Sequence, residues 1–184
     1  MSNVQAITKK EELTSITDTT LVDLLVVAKS LPLDEIEQLE AFTGNPFDAE
    51  QIAVQIHTSS GMKWTGRVIE NGEPIFVAGY FQVGAGIWRS FMLPGDQAFS
   101  AKYAGETTRH VANVMEQMGD RDPFIRLETI CLESRTLVRD WYPKIGLSYE
   151  STMPNYGAHG ENAVMYMRLG NQNEDSSTNV IERI

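Results

Sequence analysis

The segment between Lys63 and Leu93 limits the fold more than any other, because three strand patterns follow one another directly. Asn71-Gly72 separates the first two. An Asn-Gly pair between apolar runs is the strongest short-range signal of a β-hairpin, and it predicts a type I′ turn with two positive φ angles. The predicted strands are Lys63–Glu70, Ile75–Val83 and Ile87–Leu93.

Helical patterns precede these strands. Apolar residues recur at the 3.6-residue spacing in three stretches, each of which begins with a residue suited to a helix start. Acidic residues after Pro32 favour the positive end of the second helix, and Gly44 suits its end. The predicted starts are Asp18 or a threonine that follows it, Pro32, and Asp48 for a helix that runs to about His57.

The second half of the chain alternates between helical and strand patterns. A weakly alternating segment over 4–8 adds a short first strand, so 1–169 is predicted to be one α/β domain. The polar residues 170–184 are predicted to be a disordered tail, whose apolar end can fray or dock on a partner. The predicted elements are a helix over 107–118, a strand over 124–132, a helix over 134–142, and strands over 147–153 and 163–169.

Charge and composition exclude several functions. The net charge of −10 disfavours direct binding to nucleic acid. The one cysteine, Cys131, lies in an apolar run where a thiol usually packs in the core, and the three histidines lack metal-ligand spacing. The longest apolar stretch, Leu24–Ala28, is far shorter than the ~20 residues of a membrane span. These features predict a cytoplasmic protein with no metal.

Residues 141–147, Trp-Tyr-Pro-Lys-Ile-Gly-Leu, mark the end of a helix and the start of a hairpin. Gly146 suits a left-handed C-cap, and Lys144 complements the negative end of the helix. This run resembles the Y-x-K-x-G-F signature of the GNAT N-acetyltransferase superfamily, with Leu147 in place of Phe. The resemblance implies that Tyr142 protonates the departing CoA thiolate, whereas aromatic packing at a helix end is the alternative.

A second run, Lys-Tyr-Ala-Gly-Glu-Thr over 102–107, resembles a weakened form of the family's pyrophosphate loop, [Q/R]-x-x-G-x-[G/A]. Such a loop needs N–H groups that converge at a helix N-terminus, where the dipole also favours an anion. An ordinary capped helix start is the alternative. The resemblance implies that the diphosphate of acetyl-CoA binds at Lys102, Gly105, Thr107, Thr108 and Arg109.

The order of the predicted elements also resembles the GNAT superfamily over nearly the whole domain. It implies a mixed, mostly antiparallel, twisted sheet of about six or seven strands flanked by helices. It further implies that the strand over 87–93 separates from its neighbour and that its backbone pairs with pantetheine near Phe91, Met92 and Leu93. The implied activity is acetyl-CoA-dependent transfer of an acetyl group to an amine of a protein or small molecule.

Acetyl transfer to an amine needs a base, a polarised carbonyl and a leaving thiolate. Glu128 and Glu133 are the nearest candidates for the base in the predicted topology, with a pKa that burial raises. Glu128 can equally face solvent or pair with Arg126.

Residues 28–41, a Gly-Glu-Pro hairpin and the Tyr142 signature also resemble a branch of GNAT-like proteins encoded by short-tailed bacteriophages. Some members of that branch are described as internal virion or assembly proteins. This resemblance implies an alternative function in the host cytoplasm. The chain is then a catalytically weak or inactive protein that acts in virion assembly or binds host or virion proteins, as a monomer or a dimer.

Overall fold

The computed structural model describes residues 12–121 and 125–170. The strands are Thr14–Asp18 (β1), Met62–Val68 (β2), Pro74–Gly84 (β3), Ile87–Pro94 (β4), Arg126–Leu132 (β5), Ser148–Met153 (β6) and Ala163–Leu169 (β7). The helices are Leu21–Lys29 (α1), Leu33–Thr43 (α2), Ala49–Thr58 (α3), Ala104–Arg121 (α4) and Thr136–Trp141 (α5), followed by the 3₁₀ helix Tyr142–Ile145.

The seven strands form one sheet in the order β1-β2-β3-β4-β5-β7-β6. All neighbouring strands pair antiparallel except β4 and β5, which are parallel. The predicted fold class, a mostly antiparallel mixed sheet flanked by helices, is confirmed.

Side-chain caps fix the starts of α1 and α3, two of the three helices before β2. Thr20 begins α1, where its hydroxyl accepts a hydrogen bond from the Asp23 N–H and the Asp23 carboxylate accepts one from the Thr20 N–H. Asp48 begins α3, where its carboxylate accepts hydrogen bonds from the Glu50 and Gln51 N–H groups, and Gly44 ends α2 with a φ of 68°. These predicted boundaries are confirmed because each rests on a local hydrogen bond or on a left-handed residue.

The first strand that the structure describes lies where none was predicted. The predicted strand over 4–8 lies outside the described residues, and β1 is the polar segment Thr14–Asp18, which pairs with β2. Glu106 of α4 holds this strand in place, because its carboxylate accepts hydrogen bonds from the N–H and the hydroxyl of Thr14, both at 2.8 Å. A long-range contact, absent from the local pattern, therefore places the strand.

The turn between β2 and β3 lies where Asn71-Gly72 predicts it, but its type differs. Gly72 has a φ of 71°, whereas Asn71 is not among the described residues with positive φ, so the predicted type I′ turn is wrong. The Val68 N–H donates to the Glu73 carbonyl, and the Gly72 N–H donates back to the Val68 carbonyl. The loop is longer than two residues, so one glycine suffices.

Each face of the sheet has its own core. One core packs α4 and α5 on the sheet around Phe76, Leu127 and the fully buried Cys131, as predicted for the thiol. The other packs α1 and α3 on it around Val77 and Leu93. Neighbouring positions such as 76 and 77 belong to opposite cores because side chains alternate along a strand. Helices therefore cover both faces of the sheet.

The parallel pair β4–β5 is incomplete. The strands pair at three positions, which end at Arg89 and Glu128. Both strands nevertheless continue, β4 to Pro94 and β5 to Leu132. The two strands therefore diverge and leave an opening in the middle of the sheet, as the resemblance implied.

Candidate active site

A cavity of about 570 Å³ occupies this opening between β4 and β5. It reaches both faces of the sheet, since residues of α2 and α3 line one side and residues of α4 and α5 line the other. Strand edges that diverge expose backbone groups that a sheet would otherwise pair. The opening therefore adds unpaired backbone groups to a cavity whose walls are mainly apolar.

The register of β3 and β4 decides which backbone groups face the opening. The Gly95 N–H donates to the Ile75 carbonyl at 2.9 Å, so odd-numbered residues of β4 direct their backbone toward β3. On the other edge, the Gly86 carbonyl accepts bonds from the N–H groups of Ile125 and Arg126. Even-numbered residues therefore face β5, and Ser90, Met92 and Pro94 follow the last paired position. The Ser90 carbonyl accepts a hydrogen bond from the Thr129 hydroxyl, and Pro94 has no N–H, so Met92 supplies the N–H within the opening.

This register refines the predicted pantetheine strand. Of the three predicted residues, Met92 directs its N–H and carbonyl into the opening, whereas the backbones of Phe91 and Leu93 pair with β3. The side chains of Phe91 and Leu93 pack instead with α1 and α3. A backbone N–H at Met92 is placed to donate to a carbonyl oxygen that enters the opening.

An α2 side chain stabilises the opposite edge. The Leu132 N–H of β5 donates to Oε1 of Gln38 at 3.0 Å, in a buried hydrogen bond. A buried N–H without a partner would cost about 1–3 kcal/mol, so Gln38 replaces the strand that is missing here. The divergence of β4 and β5 is thus built into the fold.

Tyr142 lies at the start of the 3₁₀ helix and lines the cavity. It is buried, and its ring contacts the rings of Trp141 and Tyr166 at centroid distances of 5.9 and 4.9 Å. Burial raises the pKa of the phenol far above its usual range, although a hydrogen bond with Thr129 opposes the shift. Tyr142 therefore carries its proton at every physiological pH, and it also packs as the alternative interpretation expects.

Cys131 lies beside Tyr142 and shares its surroundings. Burial raises the pKa of the thiol to about 11, and the Tyr142 hydroxyl and nearby arginines lower it only in part. A thiol in this state is a poor nucleophile at neutral pH.

The structure does not place Glu128 or Glu133 as a base. Burial alone would raise the pKa of Glu128, but hydrogen bonds from Arg89 at 2.5 Å and Arg126 at 2.9 Å hold it below its usual value. This is the ion pair that the alternative interpretation expected. Glu133 lies away from the cavity and accepts a hydrogen bond from Asn162.

The predicted pyrophosphate loop is partly a helix. Because α4 begins at Ala104, Gly105 lies in its first turn. The N–H groups of Tyr103 and Ala104 donate to the Ser100 carbonyl at 3.1 and 2.9 Å. Within the part of the chain that the structure describes, the N–H groups of Gly105 and Glu106 have no acceptor. Two N–H groups are therefore left for an anion.

The side chains around this turn mostly make internal contacts. Thr107 is fully buried and donates to the Ala98 carbonyl, and Thr108 donates to the Ala104 carbonyl. Arg109 lies 3.4 Å from Glu12. The two hydroxyls are therefore used by the fold, whereas the Arg109 ion pair lies at the surface. Lys102 is exposed, with its Nζ 4.9 Å from the centroid of the Tyr103 ring, and it can meet an anion.

Two residues of α2 that the sequence did not point to, Glu35 and Gln38, line the cavity. Glu35 is 3% exposed, and it pairs with Arg135 at 2.6 Å and accepts a hydrogen bond from Gln38. Burial raises the pKa of Glu35, while Arg135 opposes the shift. In the sequence Glu35 has the pattern of an ordinary acidic residue in a first helical turn, so no local signal distinguishes it.

Solved structures with the same fold are acetyltransferases. A GNAT-family acetyltransferase from Bacillus anthracis superimposes with a TM-score of 0.66 at 13% identity, over 88% of this chain and 97% of that one. The fold is that of the GNAT acetyltransferases. No protein-family model matches the sequence, and no curated protein matches it.

Two further GNAT-fold structures contain coenzyme A. The aminoglycoside acetyltransferase AAC(6')-Ib, in complex with coenzyme A, gives a TM-score of 0.63 at 17% identity, over 85% of this chain and 94% of that one. RimL, a ribosomal L7/L12 α-N-protein acetyltransferase in complex with coenzyme A, gives a TM-score of 0.66 at 10% identity, over 86% of this chain and 95% of that one. Identity this low supports a common fold and leaves the site to be argued from its residues.

The residues of this GNAT fold suit the two ends of acetyl-CoA unequally. The thioester and pantetheine end fits, because the Met92 backbone and the Tyr142 hydroxyl are available at the opening. The diphosphate end has two N–H groups and Lys102, beside the carboxylate of Glu106. In residues 12–121 and 125–170, no group of three His, Cys, Asp or Glu side chains can hold a metal ion, and no helix is long and apolar enough to cross a membrane.

Proposed function

We propose that the protein transfers an acetyl group from acetyl-CoA to a primary amine. The observation that carries this proposal is the divergence of β4 and β5 after Arg89 and Glu128, with the Met92 backbone and the buried Tyr142 at the same cavity. A cavity with few polar groups, each in a defined place, is typical of a ligand site.

The Met92 N–H acts on the carbonyl oxygen. Acetyl-CoA supplies a thioester whose carbonyl carbon bonds to the amine nitrogen, while the C–S bond breaks and the thiol leaves with a proton. Negative charge develops on the oxygen as the C–N bond forms, and a fixed N–H in a site without water stabilises that charge. The fold holds Met92 in place through the pairing of its neighbours with β3.

Tyr142 acts on the sulfur. An ordinary thiol has a pKa of about 8.5, whereas burial holds the pKa of Tyr142 far above that value. Complete proton transfer from the phenol to the thiolate is therefore uphill. Tyr142 instead donates a hydrogen bond that stabilises the thiolate as it forms, and the proton lost by the amine completes the thiol.

Calorimetry tests this function with acetyl-CoA and the full-length protein. We expect micromolar binding by the wild type and by Tyr142→Phe, which removes one hydroxyl and keeps the ring packing. In an assay of thiol release with a panel of amines, Tyr142→Phe lowers kcat at least tenfold, as loss of a charge-stabilising donor does. The absence of acetyl-CoA binding at millimolar ligand would refute the proposal.

The first turn of α4 favours a second candidate function. The hydroxyls of Thr107 and Thr108 are used inside the protein, and the Glu106 carboxylate lies beside the two available N–H groups. A GNAT scaffold that has lost the diphosphate site suits the alternative of a phage protein that binds virion or host proteins in the host cytoplasm. That candidate predicts no affinity for acetyl-CoA, so the same titration separates the two functions.

A further inference from the structure

The cavity has a second half, on the face of the sheet that α1 and α3 cover. Here the sheet supplies the floor, α2 and α3 supply the walls, and the loop between β6 and β7 supplies the rim. Four of its principal lining residues are aromatic, and the others are aliphatic. They are Leu39, Phe42, Ile52, Phe81, Phe91 and Tyr156.

The aromatic rim is held in place before any ligand binds. The rings of Phe42 and Tyr156 meet edge to face with centroids 5.7 Å apart. The loop that carries Tyr156 is fixed to α2 by a 2.7 Å hydrogen bond from the Ala158 N–H to the Ala41 carbonyl. A preformed aromatic wall of this size suits a flat apolar group, because little ordering is needed on binding.

The charges around the cavity fall into two networks. In the first, Arg89 and Arg126 pair with Glu128 and Glu150, so two positive charges balance two negative ones. This network is neutral and has no charge to offer a ligand.

The second network has an excess of negative charge. Arg135 pairs with Glu35 at 2.6 Å and with Asp34 at 3.0 Å, so one positive charge meets two negative ones. Glu35 is 3% exposed and lines the cavity, whereas Asp34 is exposed to solvent. Among the described residues, this network therefore carries one excess negative charge, shared by Asp34 and Glu35, and Glu35 is the carboxylate that lines the cavity.

We propose that this half of the cavity binds a primary ammonium group carried on an apolar group about the size of one aromatic ring, with Glu35 as its anionic partner. The proposal deepens the proposed function and rests on it, since the bound ammonium becomes the acetyl acceptor once it releases one proton to solvent and so frees the lone pair of its nitrogen. An ionised carboxylate offers about four lone-pair sites, of which Arg135 and Gln38 use two. The ammonium takes one of those that are left.

The position of Glu35 also suits an acceptor. Glu35 and Tyr142 both line the cavity, and the charge of Glu35 contributes to the raised pKa of Tyr142. An amine held by Glu35 then lies in the same cavity as the backbone of Met92. The net charge of −10 favours a cationic acceptor as well.

Matched probes test this site without any turnover. Phenethylamine, and 2-phenylethanol as its uncharged analogue, are titrated into the full-length protein by calorimetry. We expect the amine to bind at least tenfold more tightly than the alcohol, and Glu35→Gln to abolish that difference. The control Glu37→Gln makes the same change at an exposed position of α2 and retains the tenfold preference. Equal affinity for amine and alcohol in the wild type overturns the proposal.

Glu35→Gln removes one of the two carboxylates that pair with Arg135 and can prevent folding. A second variant tests the proposal in that case. Tyr156→Ala changes a rim residue that is 47% exposed and distant in sequence from that network. This change should weaken the binding of phenethylamine about fivefold and leave the affinity for methylamine unchanged, because only phenethylamine has a ring that contacts the aromatic wall. No change for phenethylamine overturns the proposal.

Acetyl-CoA is titrated into the same samples. Acetyl-CoA binding without selective amine binding overturns the ammonium site and keeps the acetyltransferase. Selective amine binding without acetyl-CoA binding supports the site and removes the acetyltransferase.

Discussion

The opening between β4 and β5 and the first turn of α4 would hold the two ends of one acetyl-CoA molecule, but the chain builds them differently. The opening consists of backbone groups set by strand register, so the side chain at Met92 is nearly irrelevant to it. The first turn depends on particular residues, and here Thr107, Thr108 and Glu106 use their polar atoms for internal contacts. A fold can therefore keep its backbone site while its side-chain site changes.

Two proline substitutions should separate backbone chemistry from backbone stability. Leu93→Pro removes an N–H that pairs with β3 and a buried side chain, and should destabilise the protein by about 3 kcal/mol or more. Met92→Pro removes an N–H that faces the opening, at a position equivalent to Pro94 two residues later. It should unfold at a clearly higher temperature than Leu93→Pro, yet lower kcat at least a hundredfold.

Thermal melts and the thiol-release assay measure both effects. Met92→Ala is the control for the lost side chain, since it keeps the N–H and should be far more active than Met92→Pro. Equal activity of Met92→Pro and Met92→Ala would mean that the backbone of β4 does not polarise the carbonyl.

The contrast between these regions also explains what the sequence could predict. Helix starts at Asp48 and Pro32, the Gly44 cap and the turn at Gly72 follow from local chemistry, and the structure has them in place. The divergence of β4 and β5 came only from the resemblance, because no side-chain pattern encodes the end of a parallel ladder.

Charged residues of the site were harder to assign. The Arg126 partner of Glu128 lies two residues away on the same strand and was an alternative in the sequence, whereas Arg89 comes from β4, whose register with β5 the sequence does not state. Glu35 looked like a routine first-turn carboxylate until the fold placed it beside Arg135, 100 residues later in the chain. Electrostatic roles depend on long-range contacts, and those contacts decide which carboxylate is exposed to a ligand.

Gly105 offers a way to test how much the first turn of α4 contributes. A Cβ atom at this position would meet nothing within 4 Å, so Gly105→Glu should fold normally. Its added negative charge lies beside the two available N–H groups, where it competes with the diphosphate for the helix N-terminus. Calorimetry should therefore show acetyl-CoA binding about tenfold more weakly. Acetyl-pantetheine, which lacks the diphosphate, should bind the variant and the wild type equally.

Gly105→Ala is the matched control and should leave both affinities unchanged. If Gly105→Glu does not weaken acetyl-CoA, the diphosphate does not use this turn, and the opening alone would account for binding.

Glu106 should show that the same turn now serves stability. Its carboxylate accepts hydrogen bonds from the Leu13 and Thr14 N–H groups and the Thr14 hydroxyl. Burial alone would raise the pKa of Glu106, but these bonds hold it below the ordinary value. The unfolded chain therefore binds the proton more readily, so this stabilisation is complete above pH ~4.5 and is lost as the pH falls through the lower, folded-state pKa.

Glu106→Gln should reduce the free energy of unfolding at pH 7 by about 1–3 kcal/mol, since an amide replaces a charged acceptor of three hydrogen bonds. Urea denaturation at pH 7 and at pH 4 measures the effect. The difference in the free energy of unfolding between the wild type and the variant should be smaller at pH 4 than at pH 7. A difference that is constant with pH would show that the ionised carboxylate does not hold β1 to α4, and the turn would then be free to bind an anion after all.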